Sequence, residues 1–352
     1  MDSLFIPQPD TIPVAWGWFQ FLLLLTFPLH ILAMNAMVGG LAIGVAQHLL
    51  GGRVRHQMAH RIAVALPLVI AFVVNFGVAP LLFLQVLYGQ YAYSSSILMG
   101  SYWILVVPVL IIGYYGAYFY DFRFASLGSF GPLIGLVVLI LLLSIGFMFS
   151  NNMLLMTLPE RFSEYFSHRG GTLLSWRETE FWPRYLHMMT GAVAIGGIFV
   201  GLLGKIRKVD NEELAAHSEK LGLRIFALAT VVNISIGTWY LFSLPEPQAN
   251  FFMGASIGAT CTLGIGIILG LAALSLAFAG KFWFTLGLAV ALVVDMTLVR
   301  SWLRASYLEN FFHPAQLQMV QQYSPLLFFL VILAIGLACI WWLLKEAWEA
   351  MS

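Results

Sequence analysis

His187 lies about one helical turn inside a strongly apolar run, in Trp182-Pro183-Arg184-Tyr185-Leu186-His187-Met188-Met189-Thr190-Gly191. An ionisable group in such a stretch is costly unless it faces the interior of a bundle and pairs with something. Small residues follow at Gly191, Ala194, Gly196 and Gly197, a surface that a flat macrocycle can approach closely. Haem iron is the leading candidate partner, because an axial imidazole is a common way of holding it. Met253 stands at the outer end of a later apolar run, after the short loop 244–250, and is the expected second axial ligand at the same level. His/Met ligation suits an electron-transfer haem. The plain alternative is packing, since the chain has 14 methionines.

His30, in Phe27-Pro28-Leu29-His30-Ile31-Leu32, is the second candidate haem ligand. With an outer boundary near Trp16–Trp18 it lies roughly 20 Å down a helix axis; a histidine hydrogen-bonded to a neighbouring helix is the competing reading. Asp295 is the one acid deep within an expected span, so it should be protonated or paired. Arg300, five positions on, either reaches it or extends outward. Together they form a candidate quinone or proton site, against a purely structural polar contact. His48, His56 and His60 crowd the inner end of the first helix and the start of the second, beside Arg53, Arg55 and Arg61. A second haem between His48 and His60 competes there with contacts to headgroups and water. His168 and His313 belong to outer loops, and Asn75, Gln85 and Asn233 are expected to be helix–helix contacts.

Positioning such residues falls to membrane helices. The 352 residues are 61% hydrophobic and only 9% charged, with a mean hydropathy of +0.89, far from any soluble domain. A net charge of +1 leaves no nucleic-acid footprint, and no P-loop, zinc spacing or dinucleotide fingerprint occurs. Cys261 and Cys339 sit in apolar stretches, so no disulfide framework is expected; without C-x-x-C-H, any haem should be b-type and not covalently attached. The opening residues MDSLFIPQPDTIP lack a basic stretch, so a cleavable signal peptide is not expected.

Windows of about 20 apolar residues predict an all-α polytopic membrane protein, a single integral domain over 1–352, with nine transmembrane helices near 14–50, 61–88, 101–120, 131–156, 184–204, 222–243, 251–279, 282–303 and 324–345. The natural packing is two four-helix bundles plus one peripheral helix. With the N-terminus outside and the C-terminus inside, eleven basic residues fall on the inner side, Arg207 and Lys208 among them, and six on the outer side, including Arg184, Arg300 and Arg304. Loops 157–183 and 304–323 then lie outside, and 205–221 is a charged inner connection. Gly39-Gly40 is expected to mark a bend. No low-complexity tract and no sequence repeat is detected.

The segment Tyr185-Leu186-His187-Met188-Met189-Thr190-Gly191 resembles the fifth helix of cytochrome bd quinol oxidase subunit I. Phe19-Gln20-Phe21 leading to Leu29-His30-Ile31-Leu32 is similar to that family's first helix, Asn75-Phe76-Gly77-Val78 to its second, and Phe251-Phe252-Met253-Gly254 to the helix bearing a methionine ligand. The resemblance implies that His187 and Met253 hold the outermost b haem and that His30 holds a haem of the oxygen-reducing pair. Nine helices with the N-terminus outside agree with that family's topology. The chain departs from the pattern where oxygen chemistry is done. Ser101 through Tyr120 contains no acid, the long quinol loop shrinks to Leu244-Pro245-Glu246-Pro247-Gln248-Ala249-Asn250, and only Arg300 and Arg304 stand near the place of the Gly-Arg-Gln-Pro-Trp element.

The expectation is therefore a b-type cytochrome of the bacterial cytoplasmic membrane with one or two haems b. It would pass electrons between the quinone pool and an outer-face partner such as a c-type cytochrome, within a respiratory complex. A divergent bd-type terminal oxidase subunit, or a haem-free quinone-reactive anchor or transporter, is the alternative.

Overall fold

A computed structural model describes residues 5–206 and 212–351; Arg207 and Lys208 lie outside the described residues. The described chain is helical throughout, and nine of its helices are long and apolar enough to cross a membrane. Helices dominate because a spanning segment must satisfy its backbone internally. They are α1 (Trp16–Leu50), α2 (Arg53–Leu98), α3 (Gly100–Phe122), α4 (Gly131–Leu155), α5 (Phe181–Ile206), α6 (Glu212–Ser243), the short α7 (Glu246–Asn250), α8 (Ile257–Phe278), α9 (Phe282–Leu308) and α10 (Tyr323–Met351). Gly51 and Gly52 (φ 66° and 92°) make the tight reversal from α1 to α2.

Several helices outrun the expected apolar windows. α2 begins at Arg53 rather than 61 and continues to Leu98, broken only at Tyr88 (φ −135°, ψ 31°). α6 begins at Glu212 rather than 222, and α9 runs to Leu308, which puts Arg304 inside a helix and not in a loop. The reason is physical: hydropathy marks the hydrocarbon-crossing part of a helix, whereas the hydrogen-bonded spiral continues into water wherever no residue breaks it. The expected helix from 251 is instead a π turn over Phe251–Ala255, with Gly254 at φ 125°, followed by α8 capped by Ser256.

α1 packs against α2, α4, α5 and α9; α5 pairs with α6, α3 with α4, and α8 with α9. Gly39 and Gly40 lie within α1, which is helical from end to end. They let it touch α5: a Cβ on Gly39 would overlap the Ala192 carbonyl, and one on Gly196 would overlap the Gly39 backbone. Small residues serve this purpose in membranes, where helix association relies on close packing. In contrast, none of the apolar window of α10 is buried.

The connections 156–180 and 309–322 are pinned by polar bonds. Asn151 at the end of α4 accepts from the Ser175 backbone N–H (2.8 Å), and Arg161 binds Glu164 (2.7 Å) and Glu178 (2.9 Å). The Ile12 N–H donates to the Gln318 carbonyl and the Val320 N–H to the Ile12 carbonyl, both at 2.9 Å, tying the N-terminal segment to the connection before α10.

Two predictions follow from this packing. Gly39→Ala and Gly196→Ala should each destabilise the detergent-solubilised protein by about 1–3 kcal/mol, read as a lowered thermal midpoint, while Gly264→Ala, with open space at its Cβ, should leave the midpoint unchanged. The hydrogen bond from Arg161 holds the Glu164 carboxyl below its ordinary value of 4.5. Its stabilisation of the 159–178 segment is therefore complete above that value and lost as pH falls through the lower folded value. Hydrogen-exchange protection of this segment should follow that course in the wild type and lose its pH dependence in Arg161→Ala.

Candidate functional site: two matched histidines

His30 on α1 and His187 on α5 are held in the same way. The Nδ1 of His30 is 3.0 Å from the Val73 carbonyl of α2, and the Nδ1 of His187 is 3.2 Å from the Asn233 carbonyl of α6. A carbonyl only accepts, so each Nδ1 carries the proton and each neutral ring keeps its Nε2 lone pair free. Four residues beyond each accepting carbonyl stands a glycine whose missing side chain leaves room for the ring. A Cβ on Gly77 would lie 2.8 Å from the Cε1 of His30, and one on Gly237 would lie 2.9 Å from that of His187.

The match extends along both helices. Nine, ten and fourteen positions after His30 come Gly39, Gly40 and Gly44; at the same offsets after His187 come Gly196, Gly197 and Gly201. The α1–α5 contact is made between the first members of these glycine sets. Each imidazole thus sits about 13 Å along its helix from one shared crossing, at 1.5 Å per residue. An internal repeat, undetected in the sequence, is present as this four-residue signature.

Protein-family models, curated proteins and solved structures were compared with the chain, and none matches.

The other candidates are placed separately. Met253 lies in the π turn before α8 with non-helical φ/ψ and is 59% exposed, so its thioether is largely outside the packed interior. Asp295 and Arg300 do not meet. The Asp295 carboxylate is buried against α8, where a Cβ on Gly266 would stand 2.5 Å from its Oδ2, an oxygen with no hydrogen-bond partner among the described residues. The guanidinium of Arg300 instead lies 4.5 Å from the ring centroid of Phe27 on α1, one turn before His30.

At the other end of α1, His48 bonds the Tyr120 hydroxyl (2.9 Å) and stacks on Phe124 (4.6 Å). His56 and His60 lie against the same ring (4.9 and 4.8 Å). Phe124 thus lies against both His48 and His60, and no group of three potential metal ligands occurs among the described residues. His168 and His313 are exposed in the connections before α5 and before α10, His313 capping a 3-10 turn at the Ala315 N–H. Asn75 bonds its own helix at Ala71 rather than a neighbour, and Asn233 serves through its backbone carbonyl while its Oδ1 is buried without a partner.

A buried charged group formed by Glu180, just before α5, and Arg304 on α9 has no counterpart among the sequence candidates. Glu180 is 3% exposed and accepts from Tyr307 (3.0 Å), and Arg304, 8% exposed, lies 4.6 Å from the ring of Tyr88. The available signal was helical spacing: Arg300, Arg304 and Tyr307 recur at intervals of four and three, which is one face of a helix.

The glycine notches give a direct test. Gly237→Ala should cost about 1–3 kcal/mol by crowding the His187 ring. In a His187→Ala background most of that cost should vanish, a coupling measurable by a double-mutant cycle of thermal midpoints.

Proposed function

We propose that the protein is a b-type cytochrome of the bacterial cytoplasmic membrane, passing electrons between the quinone pool and an outer-face partner such as a c-type cytochrome. The observation that carries this reading is the pair of intramembrane imidazoles with Nδ1 tied to a carbonyl and Nε2 free. That is the orientation a metal-ligating histidine takes, because the second-shell bond fixes the tautomer and raises the basicity of the ligating nitrogen. The unpartnered Oδ1 of Asn233 beside His187 marks a polar site left incomplete by protein atoms alone. His187 and His30 would each hold a haem b, which when bound supplies one-electron exchange. Met253 would complete the His187 site from the turn before α8, whose glycine-bearing irregular backbone is where the chain adjusts most easily.

In this reading the chain's residues do the positioning. The Val73 and Asn233 carbonyls aim the rings, and Gly77 and Gly237 keep the space open. Asp295, with one carboxyl oxygen unpartnered inside the span, would be held protonated and exchange its proton beside a bound quinol. Arg300 is assigned no part in that step, because it faces Phe27.

The same reading takes the architecture as two four-helix groups, α1–α4 and α5, α6, α8 and α9, with α10 peripheral, the N-terminus outside and the C-terminus inside. Helix contacts support the grouping. The charge bias supports the orientation more strongly than the raw count, because Arg184, Arg300 and Arg304, half of the outer basic residues, line an internal cavity rather than loops.

The test is haem counting. A pyridine haemochrome assay on the purified protein should show haem b, with one equivalent lost in His187→Ala and one in His30→Ala. A colourless, iron-free preparation would refute the reading, and oxygen consumption with a quinol donor abolished by His30→Ala would favour the oxidase instead.

A further inference from the structure

Between α4, α5 and α9 lies a small, half-open cavity of about 20 Å³, lined by Arg184, Arg300, Arg304, Tyr307 and Thr157 together with two methionines and Leu303. That is room for one or two water-sized groups, not for a whole organic molecule. Three guanidinium groups share it, and none makes an ion pair among the described residues. The nearby carboxylate is Glu180, which already accepts from the Tyr307 and Thr179 hydroxyls. Even counting Glu180, two positive charges remain in excess.

The aromatic contacts define what is missing. Phe27 covers the face of the Arg300 guanidinium and Tyr88 that of Arg304. Stacking of this kind uses the face of the cation and leaves its in-plane N–H donors unused. Arg304 is more than nine-tenths buried, and its Nε has no hydrogen-bond partner. A buried, unpaired cation is expensive, and a bidentate carboxylate is the acceptor whose geometry fits the guanidinium fork.

We propose that this cavity is a binding site for a carboxylate head group, gripped by Arg304 with Arg184 and Arg300, beside the Tyr307 hydroxyl, which donates to Glu180. The size of the cavity requires the rest of the ligand to lie outside it. Two sources share this chemistry: a free small carboxylate, or the acidic side arms of a porphyrin seated near His187, which is one turn from Arg184 on α5. The site itself does not depend on the redox reading.

Full-length protein in detergent tests the site with acetate, protoporphyrin IX iron and its dimethyl ester, in the wild type, Arg304→Gln and Arg304→Lys. A free-carboxylate site predicts a thermal midpoint raised by acetate over chloride at equal ionic strength, with the rise absent in Arg304→Gln. A tethered-carboxylate site predicts no acetate effect but at least tenfold tighter binding of the free-acid porphyrin than of the ester. That preference should be lost in Arg304→Gln and partly kept in Arg304→Lys. Should Arg304→Gln fail to fold, Arg184→Gln carries the same comparison. Absence of both effects in the wild type overturns the proposal, as does an effect that persists in the glutamine variants. Porphyrin bound with neither effect leaves the redox reading standing and removes the carboxylate site; an acetate effect without porphyrin binding does the reverse.

Discussion

Contact between the backbones of α1 and α5, at Gly39 and Gly196, governs the rest of the molecule. Lipid tails are as apolar as leucine, so two membrane helices gain little by leaving them unless their surfaces can approach to full dispersion contact. Glycine gives that approach. With α1 laid on α5, α2 packs along the first and α6 along the second. The two histidines, at equal offsets from the crossing, then find equivalent carbonyls on equivalent neighbours. A side chain inserted at the crossing would disturb both rings at once.

Polar groups inside the bundle fall into two kinds. Most serine and threonine hydroxyls close back onto their own helix, as Thr26 does on Leu22 and Thr262 on Gly258. These satisfy the rule that buried polar atoms be paired and ask nothing of the surroundings. Asp295, Arg304 and the side chain of Asn233 differ, each keeping a buried polar atom without a partner. They lie on α6 and α9, and Gln47 on α1, Arg61 on α2, Ser150 on α4 and His217 on α6 likewise keep a buried polar atom without a partner among the described residues, so incomplete satisfaction is spread over both halves of the bundle.

The sequence made the spans legible because hydropathy reports burial in hydrocarbon directly, and all nine spans are there. It was blind to what continues a helix beyond the hydrocarbon, hence the early starts of α2 and α6. His187 and His30 could be singled out from the cost of a polar group alone, but not their partners, since Val73 and Asn233 contribute backbone carbonyls that no residue type announces. The repeat escaped notice because it survives in one histidine and three glycines over fifteen positions, among apolar residues that interchange freely in lipid. Gly39-Gly40 could be read as a bend because glycine permits both a bend and a close approach, and the close approach shows only once Ala192 is placed beside it. The arginine cavity was hidden because Arg184, Arg300 and Arg304 were weighed only as charge on one side of the membrane, and nothing in the sequence sets α5 beside α9.

One small feature bears on how the chain is assembled. The backbone pairing of Ile12 with Gln318 and Val320 joins a segment that precedes every membrane helix to one that follows all but the last. On a ribosome the first of these emerges some three hundred residues before the second, so throughout translation it has no mate. Closure of this face is thus an event of the finished polypeptide, and a truncation before residue 318 leaves the leading segment without its docking strand however well the earlier helices have inserted.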